Sequence, residues 1–114
     1  MKQNDELSQI FYALSDPTRR SILNRLSAKG EMNVLELASP YKMSLPAISK
    51  HLKVLEKSKL IQRSHEAQWR PCQLEAKTLE KADNWISEFR KHWEEKFDRL
   101  DEYLKTIQNN KEKK

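Results

Sequence analysis

Apolar residues recur at helical spacing along most of the chain. The first such stretch has the spacing i, i+3, i+4, i+7, at Leu7, Ile10, Phe11 and Leu14, which is typical of a helix with one buried face. A second helix is predicted to begin at Asp16-Pro17, because Asp caps helices and Pro suits their first turn. Gly30 follows the end of this helix, where a positive φ is often required.

Two further helices are predicted close together. Asn33 can cap a short helix over residues 34–39, and Pro40 ends it. After the tight connection 41–43, Ser44 can cap a fourth helix whose buried face consists of Ile48, Leu52 and Leu55. A short helix, a tight turn and a second capped helix form a helix-turn-helix.

The rest of the chain predicts two short strands and one long helix. Residues 60–64 and 69–74 are predicted to pair as a hairpin, although the turn between them lacks Gly and Asn. The last helix carries an apolar stripe at Leu79, Ala82, Ile86, Phe89, Trp93, Leu100, Tyr103 and Ile107. A stripe of this length indicates a coiled-coil-like seam against another chain, with one end packed on the helix's own core.

Composition narrows the class of protein. With 114 residues, the chain is predicted to be a single domain; 37% hydrophobic residues are few for a self-contained core, so a dimer is expected. No apolar run approaches the roughly 18 residues of a membrane span, and the first residues lack a signal peptide's apolar stretch, so we expect a cytoplasmic protein without a membrane partner. A single Gly excludes Gly-rich phosphate loops, and no residue pattern indicates an enzyme.

Positive charge is concentrated in one stretch. Between Lys42 and Arg70 lie seven basic residues and two acidic ones, Glu56 and Glu66, so this stretch carries the chain's entire net charge of +5. The stretch coincides with the fourth helix and the hairpin. Such a basic segment in an otherwise neutral chain indicates a polyanionic partner, and the helix-turn-helix indicates double-stranded DNA.

Individual DNA contacts can be predicted from the position of each residue. Ser44 begins the fourth helix, where N–H groups can meet a phosphate, and Leu45, Pro46, Ser49, Lys50 and Lys53 lie away from its buried face. The hairpin, as a wing, would contact the DNA backbone or minor groove through Arg63, His65, Gln68 and Arg70. His51 has two possible roles, a phosphate contact or packing against the wing.

Three segments resemble those of the ArsR-type winged helix-turn-helix repressors of bacteria: FYALSDPTRRSIL, MSLPAISKHLKVLEKSKLI and QWRPCQL. The resemblance covers about residues 7–105. It implies a mainly α fold with a small β-hairpin, five helices and a long C-terminal dimerisation helix. It also implies a homodimer that represses an inverted-repeat operator, with a DNA-reading core at about 16–75 and dimerisation through about 5–14 and 76–107. The low complexity of residues 108–114 predicts a flexible tail. The predicted dimer interface comprises Leu7, Ile10, Phe11, Ile86, Phe89, Trp93, Phe97, Leu100 and Leu104.

The metal-sensing motifs of that family have no counterpart here. Asn33 and Leu35 stand where many members carry a Cys-x-Cys pair, and the last-helix ligand positions hold Trp85, Lys96 and Arg99. We therefore expect no metal and no cofactor, and control by expression level, a partner protein or an unidentified effector. The alternatives are a metal- or thiol-responsive repressor with an atypical site, at Glu88, His92 and Glu95 or at His65 and Cys72, and a protein-interaction module that has lost DNA binding.

Two departures from the family concern the backbone. Relatives usually have Gly at the position of Lys59, which would cost about 1 kcal/mol if φ must be positive there. Relatives also have a Gly in the wing turn, where Glu66 and Ala67 stand. The wing tip is accordingly expected to be longer or looser than in those relatives.

Overall fold

The computed structural model describes residues 5–64 and 69–112. Five helices and three short strands follow one another along the chain: α1 (Glu6–Leu14), α2 (Pro17–Lys29), β1 (Glu31–Met32), α3 (Val34–Ala38), α4 (Leu45–Lys57), β2 (Ile61–Arg63), β3 (Cys72–Leu74) and α5 (Ala76–Glu112). The predicted fold class, mainly α with a small β-element, five helices and a long last helix, is confirmed.

The helices begin where capping side chains predicted. The Asp16 carboxylate accepts a hydrogen bond from the N–H of Arg19 at 3.0 Å, and the Ser44 hydroxyl accepts one from the N–H of Ala47 at 3.3 Å. Asn33 and Glu36 form a reciprocal capping box at the start of α3. These bonds satisfy N–H groups that have no partner within the helix, and they fix where each helix begins.

The chain divides into two compact units, residues 1–82 and residues 83–114, and α5 begins in the first unit. In the first unit, α1 to α4, the strands and the start of α5 enclose one apolar core, whose fully buried side chains include Ile10, Ile22, Leu26, Met32, Leu37, Ile48, Leu52, Leu55 and Leu60. Ile10 was predicted to lie at the dimer interface. With 1% of its surface exposed, it belongs instead to this core, whereas Leu7 and Phe11 remain half-buried.

The strands form a three-stranded antiparallel sheet in the order β1-β3-β2. The predicted hairpin corresponds to β2 and β3, in which Arg63 lies opposite Cys72 and Ile61 lies opposite Leu74. The sequence did not predict β1, because its two residues become a strand only by pairing with β3, some 40 residues later in the chain.

The second unit, residues 83–112, is helical throughout. Seven of its large apolar side chains are exposed by 42–68%: Trp85, Phe89, Trp93, Phe97, Leu100, Tyr103 and Leu104. The rings of Trp85 and Phe89 meet edge to face, with their centroids 5.0 Å apart. The helix extends to Glu112 and so includes the first residues of the predicted flexible tail. None of the described helices is long and apolar enough to cross a membrane.

Candidate nucleic-acid interface

One face of α4 is exposed and basic. Pro46, Lys50, Lys53 and Lys57 follow one another at spacings of four, three and four, so they form a stripe along the helix, and all four are exposed. The opposite face carries Ile48, Leu52 and Leu55, which are completely buried. The core therefore fixes which side of α4 faces solvent. Lys57 was missed as a candidate contact, although its position four residues after Lys53 could have indicated it.

The first turn of α4 carries small and apolar side chains and has few N–H groups to offer a ligand. Pro46 has no N–H, and the N–H groups of Ala47 and Ile48 already donate to Ser44. Ser44 and Pro46 are exposed, Leu45 is 48% exposed, and Ser49, one turn later, is half-buried. The positive end of the helix dipole favours an anion here, although the predicted N–H contacts to a phosphate are largely used up by the cap. Leu45 and Pro46 offer apolar surface to a thymine methyl group, as the sequence predicted.

Arg25 of α2 holds the helix-turn-helix in place. Its guanidinium donates to the carbonyl oxygens of Leu37 at 2.8 Å and Glu36 at 2.9 Å, at the end of α3, and it lies 5.5 Å from the ring centre of Tyr41 in the turn. The Tyr41 hydroxyl is 2.6 Å from the Ser21 hydroxyl. Sequence analysis missed Arg25 because its partners are 11 to 16 residues further along the chain.

Arg63 lies between the sheet and the basic face of α4. It shares the inward face of the sheet with Ile61 and Cys72, and its Nε atom is buried without a hydrogen-bond partner in the part of the chain that is described. Arg63 lines an open cavity of about 500 Å³. The other lining residues all belong to α4: Lys53, Glu56 and Lys57. Arg63 thus extends the basic face of α4 at the base of the wing.

The other predicted wing contacts can be placed only in part. His65 and Gln68 lie outside the described residues. Arg70 is exposed and has a φ of 41°, a value that L-residues rarely adopt and that the residue before a proline avoids. Such backbone strain is often found at functional sites.

His51 does not face the same side as the lysines. Its side chain is 19% exposed, and its Nδ1 atom lies 3.2 Å from Nη1 of Arg19 and 3.8 Å from Oδ2 of Asp16, both in or next to α2. The ring packs on α2, a role that neither of the two predicted alternatives included. Nδ1 of His51 therefore faces α2 and not the exposed lysine stripe of α4.

The residues at the positions of the family's metal ligands have other structural roles or lack the donor atoms that bind a metal ion. The Asn33 oxygen accepts the α3 capping bond from the N–H of Glu36 at 2.8 Å, and Leu35 is 67% exposed. Within residues 5–64 and 69–112, no three His, Cys, Asp or Glu side chains are grouped to hold a metal ion. Cys72 is fully buried, and this burial raises the pKa of its thiol, which disfavours the reactive thiolate.

Comparison with known proteins relates this geometry to a family. A family model described as a helix-turn-helix domain matches residues 14–63. The transcriptional repressor SdpR of Bacillus subtilis (strain 168) is 34% identical over 83 residues, which is 73% of this chain and 91% of SdpR. The arsenical resistance operon repressor of Escherichia coli (strain K12) is 38% identical over 61 residues, 54% of this chain and 52% of that protein.

One solved structure is similar to this chain in both sequence and fold. The crystal structure of an ArsR family transcriptional regulator superposes with a TM-score of 0.72 and 39% sequence identity, covering 78% of this chain and 91% of that chain. The relatives are transcriptional regulators, which confirms the prediction that the chain is not an enzyme. The chain belongs to the ArsR family of winged helix-turn-helix transcriptional regulators and is a DNA-binding protein.

Proposed function

We propose that the protein is a homodimeric repressor that reads an inverted-repeat operator with α4 and needs no metal ion. The observation that carries this proposal is the exposed stripe of Lys50, Lys53 and Lys57 on a helix whose opposite face is locked into the core. A rigid helix with this arrangement of charge fits the major groove of DNA.

Within this proposal, the residues of the interface have different tasks. Lys50, in the first half of α4, is close enough to the helix start to reach base edges, together with Ser49, Leu45 and Pro46. Lys53 and Lys57 continue along the same face, and with Arg63 they supply positive charge for phosphate contacts. Ser44 marks the positive end of the helix dipole, which would favour a nearby phosphate.

The apolar surface of the second unit supports a homodimer. Trp93, Phe97, Leu100, Leu104 and Ile107 alternate at spacings of four and three residues along the helix, the repeat of a coiled-coil seam. The first four of these side chains are exposed by about half or more. A contiguous apolar stripe of this size is typical of a protein interface. Leu7 and Phe11 of α1 and Ile86 and Phe89 of α5 stay in the proposed interface.

Metal independence is supported by what occupies the expected positions. Asn33 uses its side-chain oxygen for a helix cap, Leu35 and Trp85 have no lone pair for zinc, and Lys96 and Arg99 would repel a cation. A thiol switch is disfavoured as well, because the single cysteine, Cys72, is buried and its pKa is raised. The site of action we propose is the cytoplasm, where operator DNA is accessible.

Selection of bound sequences from random duplex DNA tests this function. We expect wild-type protein to enrich an inverted repeat with half-sites about 10 base pairs apart, centre to centre. The same selection in the presence of zinc, and a parallel one with Lys50→Ala, serve as controls: zinc should leave the enriched sequence unchanged, and Lys50→Ala should lose at least one enriched base. A selection that enriches no sequence would contradict the proposal and would favour the interaction module.

A further inference from the structure

Arg19 is the most buried of the basic side chains in the described chain, with 7% of its surface exposed. Its Nε donates to the carbonyl oxygen of Ala13 at 2.8 Å, and Nη2 donates to the carbonyl oxygen of Tyr12 at 3.0 Å, both at the end of α1. Nη1 lies 3.2 Å from Nδ1 of His51, in the middle of α4. One guanidinium in α2 therefore contacts both α1 and α4.

The contact with Arg19 determines which ring nitrogen of His51 carries the proton. A guanidinium has only donors, so Nδ1 of His51 must be the acceptor and the ring must carry its proton on Nε2. The Asp16 carboxylate is 3.8 Å from Nδ1, beyond hydrogen-bond length, and instead accepts from the N–H of Arg19 at 3.0 Å. The ring orientation is thus determined by Arg19.

We propose that Arg19 is a positioning residue for DNA recognition, which sets the orientation of α4 by donating to His51. His51 directly follows Lys50, so a rotation of α4 that breaks the Arg19 contact also moves Lys50 relative to the DNA. Because the same guanidinium holds the last carbonyl groups of α1, the contact joins α4 to a helix of the proposed dimer interface. This inference rests on the proposed function, namely that α4 reads DNA.

Two variants of His51 distinguish an effect on the orientation of α4 from an effect on the stability of the fold. In His51→Asn the side-chain oxygen can take the place of Nδ1 and accept from Arg19, whereas His51→Leu has a similar branched shape without an acceptor. We expect His51→Leu to bind the selected operator at least tenfold more weakly and to discriminate less against scrambled DNA. His51→Asn should stay within threefold of wild type in both respects.

The spectroscopic signature of the ring provides a test that needs no variant. In the wild-type protein at neutral pH, long-range ¹H–¹⁵N correlation spectra should show His51 with an unprotonated Nδ1 and a protonated Nε2. A protonated Nδ1 would overturn the proposed contact, even if His51→Leu were to fail to fold.

The outcomes distinguish this inference from the function on which it rests. If wild-type protein binds operator DNA and folded His51→Leu binds it with equal affinity and selectivity, Arg19 does not position α4. If His51→Asn and His51→Leu lose affinity equally, the loss does not come from the acceptor, and the proposal is also wrong. If wild-type protein binds no DNA, the proposed function fails, whereas the ring spectrum still tests the Arg19 contact.

Discussion

The N–H of Leu60 donates a hydrogen bond to the carbonyl oxygen of Leu55 at 3.0 Å, which closes the end of α4. The N–H of Lys59 donates to Glu56 at 3.0 Å, so the two bonds form a Schellman motif, and Lys59 has a φ of 63°. The sequence prediction that Lys59 stands at a position suited to glycine agrees with this conformation. Both leucines are fully buried, so the turn that ends α4 is anchored in the core.

This turn leads to a first prediction, about stability. Lys59→Gly should raise the free energy of unfolding by about 0.5–1 kcal/mol, because glycine adopts a positive φ without strain, although it also gains entropy in the unfolded chain. Urea unfolding at fixed protein concentration measures this change. Lys59→Ala is the matched control, since alanine keeps the strained φ, and it should not gain stability. A Lys59→Gly protein no more stable than Lys59→Ala would contradict the assignment.

Arg70 gives a second prediction, on DNA affinity. Arg70→Ala should weaken binding to all sequences alike and should lower the slope of log K against log salt by about one, if Arg70 contacts a phosphate. Arg70→Gly is the matched variant, because it removes the same charge and also relieves the φ of 41°. Both variants should lose affinity equally. A change in sequence preference instead of a uniform loss would show that Arg70 reads bases.

The third prediction concerns assembly. Trp93→Ala removes a half-exposed ring from the proposed seam and should cost about 3 kcal/mol or more of dimer stability. Sedimentation equilibrium should then show monomer at micromolar concentrations, where wild type is a dimer. Lys91→Ala, an exposed position on the same helix outside the apolar stripe, is the control and should leave the dimer intact. A wild-type protein that is monomeric at these concentrations would refute the homodimer.

The fourth prediction concerns metal ions and arsenite as effectors of DNA binding. Zinc, cadmium, nickel and arsenite should each change operator affinity by less than about twofold, which corresponds to roughly 0.4 kcal/mol. A useful allosteric effector must couple by about 1–3 kcal/mol, and the expected ligand positions lack donors for such a site. Binding of stoichiometric zinc with a tenfold loss of DNA affinity would overturn this expectation. Glu88, His92 and Glu95 would then be the first residues to replace.

Local chemistry made much of the fold predictable, and long-range contacts account for what was missed. Caps such as Asp16 and Ser44 act within three residues, so sequence alone could place the helix starts. The partners of the Arg19 guanidinium lie six to 32 residues away, and nothing in the local pattern indicates that it bonds to His51. The same holds for Ile10, whose place on an apolar stripe could not distinguish the core from a dimer interface.

The central claim, that the exposed face of α4 reads operator DNA, is tested most directly by the affinity of Lys50→Ala for the selected inverted repeat. Fluorescence anisotropy at fixed salt should show a loss of about 1–3 kcal/mol relative to wild type, together with weaker discrimination against scrambled DNA. Lys77→Ala, which removes an exposed lysine outside the basic stretch, should bind like wild type. If Lys50→Ala binds the operator with wild-type affinity and selectivity, α4 does not read the DNA through this face.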